Sequence, residues 1–190
     1  MSKASDLARF GVVQSGGIVK VETQPITAFG KTDGNDVTSS GAWVDIAGTE
    51  KSFTRSISTS KILVLINLKM TSQYTVALRL NRKIGSGSYA VVNEGASGTD
   101  GGRTSSRGVI GGYYNYTSVN AMAYGIHADQ YSFLDESGEG LTDTTDAITY
   151  KVDMGGGGGS YDVMLNIDGY DGTNYNSTTE SSYTFMEIKA

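Results

Sequence analysis

The 190 residues fit one domain of ordinary size, at about 100 to 200 residues per domain, and are enough to bury a real core. Twenty-six Gly, 22 Ser, 20 Thr and 9 Asn outnumber the 15 basic and 20 acidic residues by more than two to one, the balance of a turn-rich β protein rather than of one built on long helices. The absence of cysteine removes disulfides, thiolate metal sites and cysteine nucleophiles, and a net charge of −5 without a basic stripe argues against a nucleic-acid partner.

At the N-terminus Ala4, Leu7 and Ala8 recur at helical spacing behind Ser2, a candidate N-cap, and ahead of Gly11, a stop. The spacing predicts a helix of barely two turns. Isolated helices shorter than about 12 residues are marginal in water, so this one needs its apolar stripe docked on something. Residues 1–16 therefore read as an attachment leader, with a frayed terminus as the alternative, and 17–190 as a single domain. Residues 1–10 lack the apolar stretch of a signal peptide. The longest uninterrupted aliphatic run, 62–66, is far short of the roughly 20 apolar residues of a membrane helix. The expectation is a soluble chain with no export signal and no membrane insertion.

A connecting stretch follows through Gly16, Gly17 and the sole proline, Pro25, and then the apolar period becomes two. Short alternations appear at Ala42, Val44, Ile46 and at Phe53, Arg55, Ile57. Val76, Leu78, Leu80 and Ile84 alternate with polar residues, as do Ile148, Tyr150, Val152 and Met154, and then Tyr161, Val163, Leu165 and Ile167. Each of these strands has one face for a core and one for water.

Two strands want cover on both faces. In the first, Ile62, Val64, Ile66 and Leu68 face one way and Leu63 and Leu65 the other. In the second, Thr184, Met186 and Ile188 oppose Tyr183 and Phe185. A sandwich covers only inner faces, so Leu63, Leu65, Tyr183 and Phe185 are candidate subunit-contact residues, with burial inside the chain as the alternative. Eight to ten strands with no fixed repeat predict an antiparallel β-sandwich or jelly roll, and the low-complexity tracts 95–112 and 155–160 read as loops.

The residues that could carry chemistry are few. The single histidine, His127, has no Ser-His-Asp setting and reads as a strand histidine. Asp168 and Asp171 are the nearest carboxylate pair for a glycosidase, but such pairs are common in acidic loops. Asn166, Asp168, Asp171, Asn174, Asn176 and Glu180 are hard oxygen ligands that would suit calcium, yet Tyr170 breaks the EF-hand register. A solvated turn is the preferred reading, with no metal and no cofactor. The glycines 155–159 are followed by neither a Walker lysine nor Rossmann spacing. Tyrosine usage is more informative, with 12 Tyr against 5 Phe and one Trp. Tyr113, Tyr114 and Tyr116 cluster beside Asn115, while Tyr170 and Tyr175 flank Asp171 and Asn174. Rigid amphipathic rings among Ser, Gly and Asn make adaptable contact surfaces, so these are the candidate ligand-binding residues. Half-buried sheet positions also favour tyrosine, which is the alternative.

The C-terminal run Ser181, Ser182, Tyr183, Thr184, Phe185, Met186, Glu187, Ile188 resembles the closing Met-Glu-Ile strand of a diffuse family of phage virion modules, many from marine and cyanobacterial phages. Residues 58–64, Ser-Thr-Ser-Lys-Ile-Leu-Val, are similar to a strand entry of that family, residues 132–135 and 148–152 to its paired later strands, and residues 2–8 to the leader of some phage fibre proteins. The resemblance covers roughly 42–190 plus the leader. It implies a homotrimeric jelly-roll head, reminiscent of tumour-necrosis-factor and complement heads, that joins other virion proteins through Ala4, Leu7 and Ala8. The implied role is non-enzymatic: a tail-fibre or knob module touching a host cell-surface glycan or protein. A capsid decoration, or a polysaccharide-cleaving spike, are the alternatives. Glu136, Ser137 and Gly138 stand where the family commonly has a proline, and a glycine-rich insertion precedes Val109.

Overall fold

The computed structural model describes residues 17–28, 30–32, 43–72, 76–92, 108–110, 127–137, 140–155, 163–166 and 179–190. Among these residues the chain is all-β, without an α-helix, and its strands pair antiparallel. The strands are β1 (Ile18–Ile26), β2 (Gly30–Thr32), β3 (Trp43–Asp45), β4 (Lys51–Thr54), β5 (Lys61–Ser72), β6 (Val76–Ile84), β7 (Ala90–Val92), β8 (Gly108–Ile110), β9 (His127–Asp135), β10 (Ala147–Gly155), β11 (Val163–Leu165) and β12 (Ser181–Ile188).

Several of these are two halves of one strand. β3 and β4 share one edge of β10, β7 and β8 one edge of β6, and β11 and β12 one edge of β5, while β2 continues β1. Joining the halves leaves eight strands, ordered 1-8-3-6 in the sheet built on β5 and 2-7-4-5 in the sheet built on β10. Two sheets interleaved in that order make a jelly roll, the β-sandwich that the period-two pattern predicts.

The core lies between the sheets. Ile62, Val64, Ile66 and Leu68 of β5 meet Leu78 and Leu80 of β6 and Ile148, Tyr150, Val152 and Met154 of β10, all buried. Removing each from water contributes roughly 1.5 to 3 kcal/mol to the hydrophobic driving force. Phe185 sits at the centre of an aromatic cluster, its ring centroid 5.2 Å from Phe53, 5.5 Å from Tyr150 and 5.4 Å from Tyr183.

Two sequence expectations change here. Tyr183 and Phe185 are fully buried within the chain, so they form core and not a subunit surface; β12 turns its aromatic side inward and leaves Thr184, Met186 and Ile188 outside. The stretch around Pro25 is not a connector but the edge strand β1, which among the described residues pairs only with β12. An edge strand tolerates proline because one side of its ladder is unpaired. Its pattern misleads because Lys20 and Gln24, of the polar set, reach across the open side of the sandwich to carbonyls of β4, at 3.2 Å to Thr54 and 2.6 Å to Ser52.

The ladders also order the two ends. Gly17, the 55–60 turn, the 85–89 turn, the close of β9 and the start of β10 lie at one end, the Gly17 end, together with the close of β12. At the opposite end the chain leaves β2, β5, β8 and β10 and re-enters at β3, β6, β9 and β11.

Candidate functional site

The two outer faces of the sandwich differ in chemistry. On the β5 sheet, cross-strand partners outside the core line up in rows: Val21, Met186, Leu63, Leu134, then Thr23, Thr184, Leu65, Ser132, then Pro25, Ser182, Asn67, Gln130. Twelve consecutive outer positions over four strands therefore carry no charge. The charged groups stand at the margin, as in the Lys61–Glu136 pair at 2.5 Å. Among the described residues the exposed large hydrophobics are Ile18 at 62 %, Val21 at 54 %, Val19 at 42 % and Leu134 at 38 %, and all belong to β1 or β9, the two lateral strands of this sheet. Leu63 and Leu65, expected from sequence to face away from the core, do so and are half-buried by their neighbours. Thr23 and Thr184 share a hydroxyl hydrogen bond of 3.0 Å.

The outer face of the β10 sheet is charged and occupied with itself. Arg79 donates through Nε and Nη2 to Asp153 Oδ2, at 3.2 and 3.0 Å, and its guanidinium lies 4.5 Å from the Trp43 ring centroid. Lys151 bonds Asp45 and lies 3.6 Å from Asp153 Oδ1. The Tyr89 ring has the ammonium groups of Lys151 and Lys83 at 4.3 and 4.7 Å. Burial pushes the Asp153 carboxyl up, against Arg79 and Lys151. For Asp45 burial also works upward, but hydrogen bonds from Lys151 and Asp153 and the nearby cations hold it below its ordinary value. Gly155 is structural here: a Cβ on it would lie 2.7 Å from the Trp43 indole, so the ring packs on bare backbone.

The Gly17 end is held by buried polar groups. Glu187 accepts from the Ser56 and Ile57 amides at 2.8 and 2.7 Å and from the Ser60 hydroxyl at 2.7 Å. Burial raises its pKa, but these donors outweigh burial and bring the carboxyl below its ordinary value. Arg55, buried, donates to the carbonyls of Ser60, Thr142 and Thr144 and so ties the 55–60 turn to the segment before β10. Asp135, fully buried, takes hydrogen bonds from Arg82 and, at 2.8 Å, from the Tyr150 hydroxyl. Sequence patterning missed this cluster because a polar residue at a core-facing strand position looks like a break in the pattern. The inward register of Asp135 and Glu187 beside Phe133 and Phe185 is the signal that was there to read.

The other anchor is Asn166, left-handed at φ 59° and buried. Its amide donates to the Ile26 and Ala28 carbonyls at 2.6 and 2.7 Å, and its oxygen accepts from Ser181 Oγ at 2.6 Å. Committed in this way, Asn166 serves the fold, fastening β11 to the close of β1 and the start of β12. Thr179 donates its amide to the Asn166 carbonyl at 2.9 Å, so the chain returns where it left. Tyr170, Asp171, Asn174 and Tyr175 belong to residues 167–178, between these two points, and lie outside the described residues, as do Tyr113, Tyr114, Tyr116, Ala4, Leu7 and Ala8. His127 opens β9 opposite Met70. Among the described residues no three His, Asp or Glu side chains gather as metal ligands would, and no helix is long and apolar enough to cross a membrane.

No protein-family model matches the chain, and no curated protein matches it. Among solved structures it is similar to VP2 of infectious bursal disease virus in its subviral particle, at a TM-score of 0.41 and 11 % identity over 90 % of this chain and 38 % of that one. The structure of the Gx strain of the same virus is similar at 0.41 and 9 % identity, over 89 % of this chain and 41 % of that one. The chain thus spans about two fifths of the length of these viral chains, and at this similarity the fold assignment rests on the strand order of its own sheets.

Proposed function

We propose that this chain is a non-enzymatic virion structural protein, a homotrimeric fibre or knob head that joins the particle through residues 1–16 and meets a host cell-surface glycan or protein at its far end. The observation that carries the reading is the polarity of the sandwich. The leader would join β1 at Gly17, at the end that holds the buried Glu187, Arg55 and Asp135 hydrogen bonds. The strand ends that flank residues 111–126, with Tyr113, Tyr114 and Tyr116, lie at the opposite end, Ile110 opposite Val76 and His127 opposite Met70. Attachment at one end and recognition at the other is the layout a projecting head needs.

Deleting residues 1–16 tests this. The expected product is a soluble, cooperatively folded β protein by circular dichroism that no longer enters particles. Loss of the β fold, or undiminished incorporation, would refute the reading. Copy number on intact particles then separates a tail module, in tens of copies, from a capsid decoration that covers the shell.

A further inference from the structure

We propose that the outer face of the β10 sheet, between Trp43 and Tyr89, binds an uncharged oligosaccharide. None of its residues belongs to 111–126, so the site goes beyond the recognition end proposed above.

In a two-layer sandwich the outer face of a sheet meets water, yet the middle of this one is covered. Asn81, Asp153 and Thr149 are exposed by only 3, 4 and 6 %, although the alternation of their strands turns each away from the core. Thr149 is satisfied by Ser52, hydroxyl to hydroxyl at 2.8 Å. The other two are not. Asn81 Nδ2 finds no acceptor among the described residues. Asp153 Oδ2 accepts from Arg79, while its Oδ1 accepts no hydrogen bond, Lys151 standing 3.6 Å away. A buried donor without an acceptor destabilises the fold, so its presence calls for a reason.

The ladder brings the two groups together. Asn81 stands opposite Lys151 and Asp153 opposite Arg79, which makes them diagonal neighbours with Cβ atoms about 7 Å apart. Two hydroxyls of one sugar, one accepting from Asn81 and the other donating to Asp153, would bridge them. Aromatic rings bound the pair. The Tyr89 ring centroid lies 4.3 Å from Lys151 Nζ and 4.7 Å from Lys83 Nζ, the lysines across from Asn81 and two positions along β6. On the other side Trp43 lies over Gly155, one row beyond Asp153. Both rings are half-buried and so remain partly open to solvent. From the Trp43 row to the Asn81 row is about 14 Å at 3.4 Å per residue, the reach of a short chain of sugars rather than of one. Aromatic rings pack on the C–H faces of pyranoses, and a few convergent polar groups fix the orientation.

Charge selects a neutral ligand. Arg79 pairs with Asp153, Lys151 with Asp45, and Lys83 with Glu50 at 3.2 Å. Each of these cations already has its anion, so a charged ligand would have to displace a partner. What stands unpaired is an amide donor and a carboxylate oxygen, the complement of hydroxyl groups.

The full chain, applied to an array of neutral and acidic oligosaccharides, is expected to bind a neutral one. Titration of that glycan should shift the emission of Trp43, the sole tryptophan. Asn81→Leu removes the unpaired amide, so it should weaken this binding at least tenfold and melt no lower than the parent. Should that variant fail to fold, Tyr89→Ala, expected to bind at least tenfold more weakly, and Tyr89→Phe, expected to bind as the parent does, decide the matter. Binding of acidic glycans alone, no binding at all, or parental affinity in folded Asn81→Leu or Tyr89→Ala would overturn the proposal. Neutral-glycan binding lost in Tyr114→Ala but kept in Asn81→Leu would refute this site and leave the recognition end proposed above intact. All of these measurements use the isolated protein, so they are distinguishable from a failure of the virion reading, which particle incorporation decides.

Discussion

Glu187→Gln is the sharpest single perturbation of the fold. The carboxylate shares its two oxygens among three donors: Oε2 takes the Ser56 amide at 2.8 Å, and Oε1 takes the Ile57 amide and the Ser60 hydroxyl, both at 2.7 Å. Glutamine preserves shape but keeps only one acceptor. One amide or hydroxyl is left facing an NH₂ group in a buried site, and the charge that strengthened the other contacts is gone. Hydrogen bonds to a charged group are worth about 1.5 to 3 kcal/mol, and a buried unpaired donor costs about 1 to 3 kcal/mol, so the substitution should cost about 3 kcal/mol. For a chain of this length that lowers the melting temperature by roughly 6 to 12 °C. Thermal and urea unfolding at fixed protein concentration, from pH 7 downward, would measure it.

The pH dependence has a definite sign. The Glu187 carboxyl is held below its ordinary value in the folded state, so its contribution is fully present above the unfolded pKa and is lost as pH falls through the lower folded value. The gap between the two proteins should therefore hold from pH 7 to about pH 5, above the unfolded glutamate pKa, and narrow in stronger acid. Burial raises the pKa of Asp135, which is shifted in the opposite direction, but both proteins share that group and it cancels to first order in the difference. A gap below about 0.5 kcal/mol at pH 7, the size of an ordinary surface substitution, would refute the reasoning. So would a gap that does not narrow in acid.

Gly155→Ala places a methyl 2.7 Å from the Trp43 ring; the indole must move, at a cost of about 1 to 3 kcal/mol, and emission of the sole tryptophan should shift, whereas unchanged emission and stability would contradict the packing. Asn166→Ala removes hydrogen bonds to Ile26, Ala28 and Ser181 and strains a left-handed backbone, so its urea midpoint should fall by the equivalent of about 3 kcal/mol, with Asn166→Gly milder because glycine accepts that φ. At the proposed recognition segments, Tyr114→Ala and Tyr175→Ala should each weaken adsorption of recombinant heads to host cells by about 1 to 3 kcal/mol with little change in melting. Early unfolding of both variants would make them core residues, and normal adsorption by stable variants would put the contact surface elsewhere.

The sequence by itself determined the fold class and the core faces of β5, β6 and β10. Alternation is a local property: one side of Val76, Leu78, Leu80 and of Ile148, Tyr150, Val152 is apolar whatever they pack against. It also separated Leu63 and Leu65 from the core set, because Ile62, Val64, Ile66 and Leu68 formed the longer apolar series. Only the tertiary structure decided the side of β12. Tyr183 and Phe185 are apolar on one face and Met186 and Ile188 on the other, and local pattern cannot choose between them until Phe53 and Tyr150 arrive from the opposite sheet. It also decided β1, whose polar residues turn inward because an edge strand has the open side of the sandwich to bond across. The buried roles of Glu187, Asp135 and Asn166 depend on donors and acceptors up to 140 residues away in sequence, brought near by pairing alone. For the same reason the uncharged face could not be read from any one strand: its rows draw one residue from each of four strands, and only the register of the ladders sets them side by side.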